Sequence, residues 1–117
     1  MIDEPLDSVA VVLMPTSRSW EVPAYFLWGG WSHNPWPHEH VMLLRHWSET
    51  YGADVVVMSA DVIEMTVAEP PKDDDEAIAL AREHFLYAPD IVWQGTSDLA
   101  SLASAIQNAP VWFFWWD

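Results

Sequence analysis

The chain has 117 residues, 51% of them hydrophobic, with a formal charge of −14 from 18 acidic and 4 basic side chains. This length fits one domain over residues 1–117, and the apolar content is enough to oppose chain entropy, which excludes a disordered chain. The charge disfavours nucleic-acid phosphates or an anionic membrane as the main partner and would steer a basic protein surface towards the chain.

No apolar run approaches the roughly 20 residues that cross a bilayer. The acidic start, Met1-Ile2-Asp3-Glu4, is unlike a secretory leader. Cysteine is absent, so disulfide and thiolate chemistry are excluded, and a cytoplasmic location is expected.

Residues 1–8 read as a polar lead-in. Val9 to Met14 is an unbroken apolar, β-branched run closed by Pro15, which predicts a buried strand. Thr16 to Asn34 mixes Pro23, Gly29 and Gly30 with Trp20, Tyr25, Phe26, Trp28 and Trp31, which predicts a long loop with a short strand near Ala24 to Leu27. A helix is expected from Pro37, because His40, Leu44, Trp47 and Tyr51 share one face. Gly52 is placed to end it in a left-handed conformation.

Val55 to Met58 and Val62 to Val67 read as a hairpin about Ser59-Ala60-Asp61. Asp73 with Glu76 three residues on predicts a helix start, and the acidic run Asp73 to Glu76 suits the positive end of that helix. Ala77, Leu80, Ala81, His84 and Phe85 form its inner side, and Pro89 stops it. Asp98 precedes a third helix through Leu99, Leu102, Ala103 and Ile106, closed by Asn108 and Pro110. Val111 to Trp116 is the last strand. The order predicts an α+β fold: a ferredoxin-like, split βαβ antiparallel sheet with helices on one face and one extra helix.

Several uncommon blocks then stand in a fixed order. They are Trp28-Gly29-Gly30-Trp31, Pro35, Glu39-His40, Trp47, Tyr51-Gly52, Pro70-Pro71, Glu76-Ala77 with Leu80-Ala81-Arg82-Glu83, Pro89-Asp90-Ile91-Val92, Gln94-Gly95 and Trp112 to Asp117. Together they resemble the DUF4253 family, a bacterial domain of unknown function, from about Val22 to the last residue. The resemblance implies a family fold and a shared surface, and it implies no reaction. Members often carry Cys where this chain has Asn34 and Ala88, and an Asn and an acidic residue where it has Ser32 and Trp93. Any metal or redox pair formed by those cysteines cannot operate here.

Three kinds of chemistry have candidate residues. His33, His38 and His40 lie within eight residues, and imidazole suits transition metals. On a helix, however, His38 and His40 do not face each other, and His40 sits on the apolar face, where a hydrogen-bonded core histidine is expected. An enzyme or small-ligand site would draw its polar groups from His40, Glu64, Glu83, Asp90 and Gln94, with a half-buried carboxylate as acid or base, provided that they converge in one pocket walled by the Trp28 to Trp31 loop. The plainer reading pairs Glu83 with Arg82 or Arg45 and gives Asp90 a turn-capping role. No phosphate loop, nucleophile elbow or metalloprotease motif is present, and no cofactor is expected.

The strongest signal is the 9 tryptophans. Val111 to Trp116 is apolar on both faces, so Trp112, Phe114 and Trp116 oppose Val111, Phe113 and Trp115. If helices cover one face, the other needs the aromatic loop, a second subunit or a partner. The candidate binding residues are Trp28, Trp31, Trp36, Trp93, Trp112, Trp115 and Trp116. The leading expectation is a protein-binding module, of the immunity or inhibitor kind, for a partner with a basic surface. A small-ligand-binding or hydrolytic enzyme and a homodimer joined through the terminal strand are the alternatives.

Overall fold

The computed structural model describes residues 8–117; all but the last residue of the expected polar lead-in lie outside the described residues. A 3-10 turn (Ser19–Glu21) and a short helix α1 (Val22–Tyr25) come first. Helix α2 (Pro37–Tyr51) leads into a hairpin of β1 (Ala53–Met58) and β2 (Val62–Val67). Helix α3 (Asp74–Tyr87), a π-helical turn (Val92–Thr96), helix α4 (Leu99–Ile106) and strand β3 (Val111–Trp115) complete the chain.

Local chemistry explains the boundaries. Pro37 opens α2 with its φ already helical, and the Glu39 carboxylate accepts the Trp36 N–H at 2.9 Å. Gly52 ends that helix at φ 61°, in the left-handed region that glycine adopts without a Cβ penalty. The Asp73 carboxylate accepts the Glu76 N–H at 2.8 Å and Asp98 accepts that of Ser101 at 2.7 Å, so α3 and α4 each start on a side-chain cap.

The three strands form an antiparallel sheet in the order β1-β2-β3. Met65 lies opposite both Val55 and Trp112, and Ile63 opposite Phe114. One face therefore gathers Ile63, Met65, Val67, Trp112 and Phe114, all buried. The helices lie on this face. Trp47 of α2 stacks on Phe114 with centroids 5.4 Å apart and planes 10° apart, and His84 of α3 meets Trp112 edge-on at 4.6 Å. Among the described residues, no helix is long and apolar enough to cross a membrane.

Three expectations are corrected. Val9–Met14 forms no strand: Val11 is 93% and Leu13 95% exposed. A split βαβ sheet needs that strand between β2 and β3, but β2 pairs directly with β3. The two rings of Trp112 and Phe114 occupy the place beside Met65 and Ile63 under the helices that the expected strand would need. The short strand expected near Ala24 to Leu27 is also absent. Residues 22–25 are helical, with Pro23 in the first turn, where its missing N–H costs nothing.

The aromatic loop does not cover the outer sheet face either. It lies against α2 and the β1 side: Trp28 Nε1 donates to the Ser59 carbonyl at 2.8 Å, and Ser19 Oγ donates to Asp54 Oδ1 at 3.0 Å. On the outer face Val62, Glu64, Phe113 and Trp115 stay half-buried. Trp115 lies over Gly95 of the π-helical turn, where any side chain would press on the indole.

Candidate functional site

The buried polar chemistry centres on His40. The apolar stripe of α2 carries it inward with Leu44, Trp47 and Tyr51. The loop from Trp28 to Trp36 closes over it, fixed by a Gly30 N–H to Pro35 carbonyl bond of 2.8 Å. Gly29, at φ 117°, is required there because a Cβ would overlap the Pro35 carbonyl oxygen and the His40 ring.

His40 Nε2 lies 2.5 Å from Asn34 Oδ1, and Nδ1 lies 2.6 Å from the Tyr87 hydroxyl. An amide oxygen only accepts, so Nε2 carries the proton. The neutral ring's Nδ1 then accepts from the tyrosine O–H. The indoles of Trp28 and Trp116 and the ring of Tyr87 enclose the imidazole at centroid distances of 4.9 to 5.4 Å. Burial lowers the His40 pKa to about 4 and raises that of Tyr87 well above its ordinary value. Both groups are therefore neutral at ordinary pH. Asn34 Nδ2 is buried with no hydrogen-bond partner among the described residues.

A general acid or base must reach its substrate. His40 is fully buried, and both ring nitrogens are engaged inside the protein. The network thus ties the loop (Asn34), α2 (His40) and the end of α3 (Tyr87) together. Trp116 adds a fourth tie, donating from Nε1 to the Tyr87 carbonyl at 3.0 Å.

The other acid–base candidates do not join it. Glu83 accepts from Trp47 Nε1 at 2.9 Å and lies 3.8 Å from His46, rather than pairing with Arg82 or Arg45. Asp90, almost fully buried, accepts the Asp117 N–H at 2.7 Å, rather than capping the turn after Pro89. Gln94 donates to the Asp117 side chain at 2.9 Å. Glu64 sits on the outer sheet face opposite Phe113. Only Asp90 and Gln94 come together, through Asp117; His40, Glu64 and Glu83 stand apart. His33 and His38 are exposed while His40 is buried, and no cluster of three metal-ligating side chains exists among the described residues.

The seven candidate indoles divide three ways. Trp112 and Trp116 are buried in the core, so neither presents a ring to a partner. Trp28 and Trp115 are half-buried. Trp31 is exposed at the edge of Trp28, at a centroid distance of 4.9 Å. Trp36 is 60% and Trp93 66% exposed. Trp36 lies across Gly30, where a Cβ would come within 2.5 Å of the ring.

Sequence reasoning missed Asn34 and Tyr87 as partners of His40, because they lie 6 and 47 residues from it. The one signal was that the resemblance expects cysteine at Asn34 itself and at Ala88, the residue after Tyr87.

A three-stranded antiparallel sheet with helices against one face and a sealed polar network under an aromatic loop defines the class of molecule: a small α+β domain. The family model described as "Domain of unknown function (DUF4253)" matches residues 10–117, and the chain belongs to that family. No curated protein and no solved structure matches it.

Proposed function

We propose that this domain is a protein-binding module that docks its acidic surface and exposed indoles on a basic surface of another protein, acting in the cytoplasm as an immunity protein or inhibitor does. One observation carries the reading: Trp36 is largely exposed, and its ring lies across the bare backbone of Gly30. A large ring packed on backbone loses less conformational freedom on binding than a free one, and tryptophan is enriched among interface anchors. Trp31 stands on the same loop. The surrounding charge of −14, with 4 basic residues in the whole chain, favours a basic partner and rapid encounter.

Capture of partners from the native cell at low and high salt tests the reading. A basic protein should be retained at low salt and released as salt rises. Trp36→Ala should weaken its binding by about 2 kcal/mol or more while leaving the melting temperature nearly unchanged. Absence of any basic partner at low salt refutes the proposal. The hydrolytic alternative required convergent polar groups, and the separation of His40, Glu64 and Glu83 gives it no support.

A further inference from the structure

Val9–Met14 has the composition of a core strand and the exposure of a surface loop. No backbone hydrogen bond joins it to another element among the described residues. It lines one side of an open groove of about 720 Å³, and Val55, Val56, Val57 and Met58 of β1 line the other. β1 is an edge of the sheet. Among the described residues, the Val55 N–H donates to Ser19 Oγ at 3.0 Å, and no strand pairs with this edge. An apolar segment with no backbone hydrogen bond among the described residues thus faces a sheet edge that has no strand partner, across a space that neither fills.

We propose that this groove is a self-association site, in which Val9–Met14 of a second copy enters between the same segment and β1 of the first, and the exchange is reciprocal about a two-fold axis. Three features select a second copy as the occupant. Both β1 and the segment are six residues long, each spanning roughly 20 Å when extended. The chain carries both halves of the contact, an exposed strand-forming run and an open edge, which is the requirement for an isologous interface. None of the thirteen groove-lining residues is charged. On a chain of charge −14 that is a neutral island, so two copies can meet there without facing like charges, and a basic partner finds nothing complementary. The register break between Val55 and Val57 turns Val56 outward and interrupts the ladder. The contact therefore rests on apolar burial as much as on backbone pairing.

The test is the mass of the full chain by light scattering and sedimentation, from low micromolar to several hundred micromolar, at low and high salt. A monomer–dimer equilibrium is expected, and added salt should tighten it, because screening relieves repulsion between two acidic copies. The salt dependence is opposite to that of the proposed basic partner, so the two readings fail separately. Val11→Lys with Leu13→Lys should weaken the dimer at least tenfold and leave the thermal melt unchanged, since both side chains are exposed. In the wild-type dimer, the amides of Val55–Met58 should exchange more slowly than in the monomer. A monomer at every concentration and salt, a lysine variant that dimerises as well as wild type, or a dimer with unprotected β1 amides would each overturn the proposal.

Discussion

Acidification should destabilise this domain through two histidines that it holds neutral. His84 is buried among Trp47, Trp112 and Phe114, and its Nε2 has no hydrogen-bond partner among the described residues. Burial lowers its pKa to about 3, and that of His40 to about 4, from 6.5. Between 6.5 and those values the unfolded chain binds protons that the native state refuses. Stability is thus greatest above pH 6.5 and is lost as pH falls towards the folded-state values. One pH unit across this window corresponds to about 1.4 kcal/mol per histidine, so moving from neutrality to about pH 4.5 should cost about 3 kcal/mol for each. Together that is comparable to the whole stability of a small domain.

Protonation of surface carboxylates relieves repulsion over the same range and acts in the opposite sense. A difference between variants removes that contribution. Guanidinium unfolding of wild type and His84→Leu, followed by tryptophan fluorescence at pH 7 and about pH 4.5, isolates one histidine. The wild type should lose about 3 kcal/mol more than the variant between the two pH values. Equal losses in the two proteins, or an imidazole proton signal from His84 that titrates near 6.5, would refute the reasoning.

Other perturbations have separate readouts. Phe114→Ala removes the ring on which Trp47 stacks and should cost about 3–5 kcal/mol in denaturant unfolding. Gly29→Ala forces a Cβ against the Pro35 carbonyl and the His40 ring at a positive φ, so it should lower stability by about 2 kcal/mol in denaturant unfolding and shift the ring resonances of His40, which the Cβ would touch. Asp73→Ala removes the cap of α3 and should cost about 1 kcal/mol in thermal unfolding, with no change at the His40 network.

Residues that act on their near neighbours were legible in the sequence. Asp73, Asp98, Pro37 and Gly52 bound their helices where capping chemistry puts them, and Ile63, Met65 and Val67 alternate as a one-sided strand must. Sheet order was not legible, because it is a competition between distant segments. Val9–Met14 is as apolar and β-branched as any core strand, and only the fit of Trp112 and Phe114 beside Met65 and Ile63 decides which segment pairs with β2. The turn at Val22–Tyr25 was misread because aromatic side chains suit strands, while Pro23 at a helix start signals the opposite. The burial of His40 could be read from its place on the stripe of α2. Its partners could not, since nothing local links Asn34 to Tyr87.

The way Trp36 is seated has a consequence for evolution. Its ring and Gly30 occupy what is in effect one shared volume, so neither position can drift alone. Any residue larger than glycine beneath the indole would tip it off its seat, so a change at Gly30 would be felt at the exposed ring of Trp36. Sequence variation in this loop should therefore leave the Gly30–Trp36 pair as a unit and fall on the residues around it.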